Sequence, residues 1–214
     1  MKYSKLVENA KKPNGFWGKM MIKAMNKGHS SLTSWGLEHM NIERTATVLD
    51  IGCGGGKTVD RLCSIVANGK VYGIDYSELS VKSSEKLNSK NILCNKAKIL
   101  QASVSDMPFD DNTFDNITAV ETYYFWPDKE NDVKEVFRVL KHGGTVMLLF
   151  EMLRTDDDPF KWEKVENMLN IKSVTPQEIR AVLESAGFEN INTYTKEGTT
   201  WLCATAQKPK DDEN

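Results

Sequence analysis

The stretch Val48-Leu49-Asp50-Ile51-Gly52-Cys53-Gly54-Gly55-Gly56-Lys57-Thr58 constrains this chain more than any other. It opens as an apolar, β-branched run, the pattern of a buried strand. It breaks at Gly52, Gly54, Gly55 and Gly56, then resumes with Val59, Leu62, Cys63 and Val66 at helical spacing. That spacing predicts a helix from Thr58 to Ala67. Strand, glycine turn and helix together set backbone amides at a helix N-terminus, where a nucleotide-type ligand can approach closely. Glycine is needed there because a Cβ blocks both positive φ angles and close approach. A plain turn does not explain four glycines in five positions, since each costs backbone entropy.

Three ligand readings compete for the loop. Gly56-Lys57-Thr58 ends like a phosphate-binding Walker A loop. That motif needs a glycine five positions before Gly56, and Ile51 stands there. A dinucleotide fingerprint, Gly-x-Gly-x-x-Gly, fits Gly52 and Gly54 but meets Lys57 at its third glycine. Val-Leu-Asp-Ile-Gly-Cys-Gly-Gly-Gly resembles the first motif of class I S-adenosylmethionine (SAM) dependent methyltransferases at every position.

Composition narrows the field. A chain of 214 residues can bury one sizeable core. Net charge is −2, which gives no electrostatic case for nucleic acid or an anionic membrane as partner. The polar, basic segment from Met1 to Gly15 is unlike a secretory signal, and no apolar run is long enough to span a bilayer. Cys53, Cys63, Cys94 and Cys203 show no metal-binding or redox spacing, which fits reduced thiols in a cytoplasmic protein. No ligand cluster in the sequence points to a metal, and nothing specifies an oligomeric state.

Ahead of the glycine loop, Trp17, Met20, Met21 and Ala24 predict an amphipathic helix ended by Asn26-Lys27-Gly28. Ser30-Ser31 can cap a second helix carrying Leu32, Trp35 and Met40. His29 sits in a Gly-His-Ser-Ser turn, as a solvent-exposed loop residue or a group near the reacting centre. After the loop, Lys70 to Asp75 predicts a second strand ending in an acid, 23 positions beyond Gly52. An acid at that place can accept hydrogen bonds from both hydroxyls of a ribose, and it can also cap the helix from Ser77 to Leu87. Tyr76 would then lie near an adenine ring.

Ala97 to Ala102 predicts a third strand and Asn116 to Val120 a fourth. The fourth is followed by Glu121-Thr122-Tyr123-Tyr124-Phe125-Trp126. Loops at the carboxyl ends of parallel strands form the ligand crevice, so this aromatic cluster suits an apolar pocket, with one or two of the four in the core. Asp128 can cap a helix whose face is Val133, Val136, Phe137 and Leu140. Thr145 to Phe150 predicts a central fifth strand, being apolar throughout. Asp158-Pro159 starts a helix with a Trp162, Val165, Leu169 stripe, and Thr175-Pro176-Gln177-Glu178 is a capping box for the next. Glu189 to Thr195 and Thr199 to Ala206 predict two terminal strands around Lys196-Glu197-Gly198, with a polar tail over 209–214.

From about Thr47 to about Lys208 the chain resembles class I SAM-dependent methyltransferases. Arg138-Val139-Leu140-Lys141-His142-Gly143-Gly144 places it near the small-molecule, quinone and lipid branch, with His142 where that branch has proline. The resemblance implies an α/β fold: a doubly wound, Rossmann-like, seven-stranded and mostly parallel sheet whose last strand is antiparallel. It implies one domain over 1–208, with a helical lid over 1–44 and a cap insertion over 151–174. It implies SAM as cofactor, contacted by Asp50, Gly52, Cys53, Gly54, Asp75, Tyr76, Ser105, Asp106, Met107 and Glu121, with Asp106 at the adenine amino group. The implied activity is methyl transfer to a small, partly apolar acceptor. His29, Tyr123, Tyr124 and Glu151 are the candidates for a base, and the acceptor site falls between the lid, the Tyr123 to Trp126 loop and the insertion. A P-loop-like nucleotide hydrolase using Lys57 and Thr58, and a non-catalytic SAM-binding module, are the alternatives.

Overall fold

The computed structural model describes residues 29–211, and before them Pro13, Gly15, Gly18, Met20 and Ile22. The elements are α1 (Ser30–Leu37), β1 (Thr47–Ile51), α2 (Lys57–Ile65), β2 (Lys70–Asp75), α3 (Glu78–Leu87), α4 (Ser89–Leu93), β3 (Ala97–Gln101), β4 (Phe114–Val120), a 3-10 turn (Tyr123–Phe125), α5 (Lys129–Val139), β5 (Leu140–Phe150), α6 (Glu163–Leu169), α7 (Pro176–Ser185), β6 (Glu189–Thr195) and β7 (Leu202–Gln207). They build one seven-stranded sheet in the order β3-β2-β1-β4-β5-β7-β6. β1 to β5 pair in parallel, and β7 runs antiparallel to both β5 and β6. Strand order reverses between β1 and β4, which opens a crevice at their carboxyl ends. Most of the helix expected from Trp17 to Ala24 lies outside the described residues.

β5 shows why its sequence is apolar throughout. Val146, Leu148 and Phe150 face one helical layer with Val133, Val136, Ile179 and Leu183. Met147 and Leu149 face the other side, where Leu32 of α1 packs. A strand covered on both faces cannot alternate polar with apolar. Gly36 lets α1 come this close, because a Cβ there would stand 2.6 Å from a Leu149 methyl. Burying Leu32, 1% exposed, contributes about 1.5–3 kcal/mol. A separate layer of Val48, Val71 and Ile99 from the strands meets Val59, Leu62 and Val81 from α2 and α3.

Several boundaries differ from the sequence expectation: β4 starts at Phe114 rather than Asn116, and α2 ends at Ile65 rather than Ala67. β5 starts at Leu140 rather than Thr145, because Lys141 to Gly144 bulge out between the Phe114–Leu140 and Asn116–Thr145 pairs. Gly143 there has φ +74°, and a Cβ on Gly144 would press on the carbonyls of Lys141 and Asp115. α6 starts at Glu163, a turn later than Asp158-Pro159 suggests, because the backbone from Asp158 to Trp162 closes into turns first. β7 starts at Leu202, since the hairpin turn extends through Thr199. The expected capping box is present: Glu178 N donates to Thr175 Oγ1 at 3.1 Å, and Thr175 N donates to the Glu178 carboxylate at 2.9 Å. No helix among the described residues is long and apolar enough to cross a membrane.

Candidate functional site

The glycine loop leaves β1 and is fixed from both sides. Cys53 N donates to Ile74 O at 2.9 Å, which ties the loop to the end of β2. Asn88 Nδ2 donates to Gly56 O at 3.0 Å, which ties it to the end of α3. Two glycines are obligatory on direct steric grounds. Gly52 has φ +68° and a Cβ would collide with the Thr122 hydroxyl. Gly56 has φ +81° and a Cβ would run into Ser84 and Asn88. The loop lies bare along an open cleft, which Gly52, Gly54 and Gly55 line.

Two acids stand beneath that loop. Asp50 is 1% exposed. Its Oδ1 accepts from Thr118 Oγ1 at 2.7 Å, while Oδ2 is buried with no hydrogen-bond partner. Burial pushes the carboxyl up to about 7, against the Thr118 bond and with help from the Asp75 charge. Asp75 Oδ2 accepts from Gly54 N at 2.9 Å and Oδ1 from Ser77 N at 2.8 Å. Burial raises its pKa, and these amide bonds oppose the rise. Asp75 so joins the glycine loop to the start of α3 while lining the cleft. Tyr76 lies at the mouth, 41% exposed. The Cys53 thiol is buried and held far above its usual pKa, so it is inert at neutral pH.

The opposite wall comes from α1 and from the end of β4, with the end of β5 beside it. Arg61 of α2 donates to Ser30 O at 2.9 Å and Ser30 Oγ at 3.0 Å, which anchors the first turn of α1 over the cleft. Glu121 follows β4 at φ +57°. Its Oε1 accepts from Glu151 N and from Tyr124 OH. Burial, opposed by these bonds and helped by Glu151, pushes the Glu121 carboxyl up to about 8. His29 Nε2 lies 3.9 Å from Glu151 Oε2. Burial lowers the His29 pKa, and the Glu151 charge opposes that. His29, Glu121 and Glu151 bring three donor atoms within 4.8 Å of one another.

The cleft gathers Asp50, Gly52, Cys53, Gly54, Asp75, Tyr76, Glu121 and His29. Ser105 and Asp106 are exposed and Met107 is buried, and none of the three lines it. Met107 instead donates its amide to Glu135 and accepts Arg138 at its carbonyl, so α5 holds it. The aromatic cluster after β4 divides. Tyr123, Tyr124 and Trp126 are core, and Phe125 alone of the four lines the cleft. Of the loop expected to border the acceptor, Phe125 thus reaches the cleft, while Trp126 after the 3-10 turn is buried against Tyr123. Sequence reasoning passed over Arg61, Thr33, Ser80 and Thr122. Arg61 sits on an ordinary polar helix face, and only the neighbouring α1 gives it a task. Lys57 lines the cleft but pairs with Asp60 at 3.0 Å.

A doubly wound sheet with a glycine loop and two acids at its switch point defines the class of α/β enzymes that hold an adenosine-type cofactor. The methyltransferase-domain family matches residues 49–148. The uncharacterized methyltransferase YdaC of Bacillus subtilis is 27% identical over 85% of this chain and 93% of its own. The ubiquinone/menaquinone biosynthesis C-methyltransferase UbiE of Cronobacter sakazakii is 31% identical over 73% of this chain and 72% of its own. A SAM-dependent methyltransferase from Aquifex aeolicus shares the fold, with a TM-score of 0.68 at 21% identity over 87% of this chain and 96% of its own. The chain spans less than half the length of the sterol and demethylmenaquinone methyltransferases that it also matches. The chain belongs to the class I SAM-dependent methyltransferases, and SAM is its cofactor.

Proposed function

We propose that the chain transfers the SAM methyl group to a small, partly apolar acceptor in the cytoplasm. The observation that carries this is the lining of the cleft: one wall is bare glycine backbone and carboxylates, while Phe125, Val120 and Ile22 supply apolar surface. A few apolar side chains around a concave site enclose a small molecule far better than a macromolecular surface. The quinone and sterol methyltransferases that the chain resembles fit such an acceptor. All four cysteines are free thiols, in keeping with a reducing compartment.

The residues present fit the cofactor. The buried, unpartnered Asp50 Oδ2 is a place for the positive end of the methionine part, and a cation there would reverse the rise in the Asp50 pKa. Asp75 keeps acceptor capacity beyond its two amide bonds, for the ribose hydroxyls. Tyr76 would flank the adenine, with the exposed Ser105 and Asp106 toward its outer edge. Bound SAM supplies an electrophilic methyl group on a sulfonium. The protein's part is to align the acceptor in line with it and to exclude water, which is worth up to about 7–11 kcal/mol. Tyr123 and Tyr124 are poor bases: burial pushes Tyr123 up to about 12 and holds Tyr124 well above its usual range, its hydroxyl engaged by Met152 N. His29, Glu121 and Glu151 remain at the acceptor end.

A screen of phenolic, quinol and sterol-like acceptors with methyl-labelled SAM tests this. Transfer of label to one of these classes is expected; transfer only to protein or RNA would refute it. Phe125→Ala is expected to raise the acceptor KM roughly tenfold, the scale of losing one half-buried aromatic contact. The affinity for S-adenosylhomocysteine should stay unchanged, as calorimetry would show. Lys57→Ala is expected to change SAM affinity by less than about tenfold, or 1.4 kcal/mol, because SAM carries no phosphate and Lys57 already pairs with Asp60. A larger loss would mean that the loop grips its ligand as a phosphate loop does.

A further inference from the structure

We propose that His29, Glu121 and Glu151 form a divalent-cation site at the acceptor end of the cleft, taking a transition metal such as Mn²⁺. The three residues come from three places: the turn before α1, the end of β4 and the end of β5. They lie far apart in sequence, and no spacing announces them. The sheet brings the ends of β4 and β5 side by side, and Arg61, by holding Ser30, sets His29 beside them. Their donor atoms lie within 4.8 Å of one another, with His29 Nε2 and Glu151 Oε2 at 3.9 Å. A cation bonded at about 2.0–2.2 Å keeps its ligands within about 4.4 Å of each other, so a closure of a few tenths of an ångström suffices. Glu151 is exposed and can make that movement.

Charge argues in the same direction. Among the described residues no lysine or arginine pairs with either glutamate, and His29 is the only basic partner of Glu151. Two neighbouring carboxylates without a counter-cation repel each other, and a dication removes that repulsion. It also leaves the site close to neutral, so a sulfonium nearby meets no net opposing charge. Glu121 is prepared for the task. Glu151 N and Tyr124 OH hold one of its oxygens, which orients the carboxylate as outer-shell donors orient metal ligands. One imidazole and two carboxylates suit Mn²⁺, Fe²⁺ or Zn²⁺ better than Ca²⁺. Three protein ligands leave positions open toward the cleft, where an acceptor oxygen can bind and lose its proton more easily. That last role rests on the function proposed above; the binding of the cation does not.

The test is Mn²⁺ titration of the full chain, followed by the loss of the free-ion electron paramagnetic resonance signal. One micromolar site per chain is expected. His29→Ala and Glu151→Gln should each weaken it at least about tenfold, the scale of losing a ligand or its support. Unchanged thermal midpoints of the variants without metal would show intact folds. Calorimetry with S-adenosylhomocysteine, run on the same samples, reads the methyltransferase assignment separately. Millimolar binding only, or micromolar binding that both variants keep, overturns the proposal. Failure of S-adenosylhomocysteine to bind would overturn the cofactor reading and leave the cation site standing.

Discussion

Trp126→Ala is expected to destabilise the fold by about 3 kcal/mol or more, the range for emptying a large aromatic site in a core. Trp126 is 5% exposed, packs on Tyr123 at 5.2 Å between ring centres, and Tyr123 packs in turn on Phe150 of β5. One feature reduces the loss. Trp126 Nε1 is buried without a hydrogen-bond partner, so removing it also removes a desolvated donor that costs about 1–3 kcal/mol. Trp126→Phe separates the two effects, because it keeps most of the ring and deletes the donor. It should cost less than about 1.5 kcal/mol. Urea unfolding of the three proteins measures this. S-adenosylhomocysteine affinity should be kept in both variants wherever they are folded, since Trp126 does not line the cleft. If Trp126→Ala were as stable as the parent but could not use its acceptor, the ring would belong to the acceptor wall after all.

Asp75→Ala is expected to weaken SAM binding by about 1.5–3 kcal/mol, the range for hydrogen bonds to a charged group. In dissociation constant that is roughly 10- to 150-fold. The carboxylate acts twice. It offers acceptors to the ribose, and it holds Gly54 N and Ser77 N, so the glycine loop and the start of α3 keep their relative positions. Asp75→Asn retains one carbonyl acceptor and should fall between the two. Asp106→Ala should cost less, because an exposed group can be replaced by water. Calorimetry with SAM on all three variants distinguishes these outcomes. Undiminished affinity in a folded Asp75→Ala protein would remove the ribose assignment.

The sequence alone determined the strands, the helices and the glycine loop, and the resemblance of that loop implied the sheet and the cofactor. The first three are local features. Period-two and period-3.6 patterns mark strands and helices, and a glycine is legible where a Cβ has no room. The capping box at Thr175 is equally local, and so is the bond from Ser77 N to Asp75, although the second bond of Asp75, from Gly54 N, needs the fold. The three-dimensional fold decided everything that depends on a partner distant in the chain. Phe125 and Trp126 are both aromatic and adjacent, yet one 3-10 turn puts the first in the cleft and the second in the core. Arg61 is one polar residue among several on α2 until α1 lies across it. His29, Glu121 and Glu151 become one group only because β4 and β5 end together and α1 begins above them. Side-chain type is written in the sequence, but direction is set by packing, and a site depends on direction.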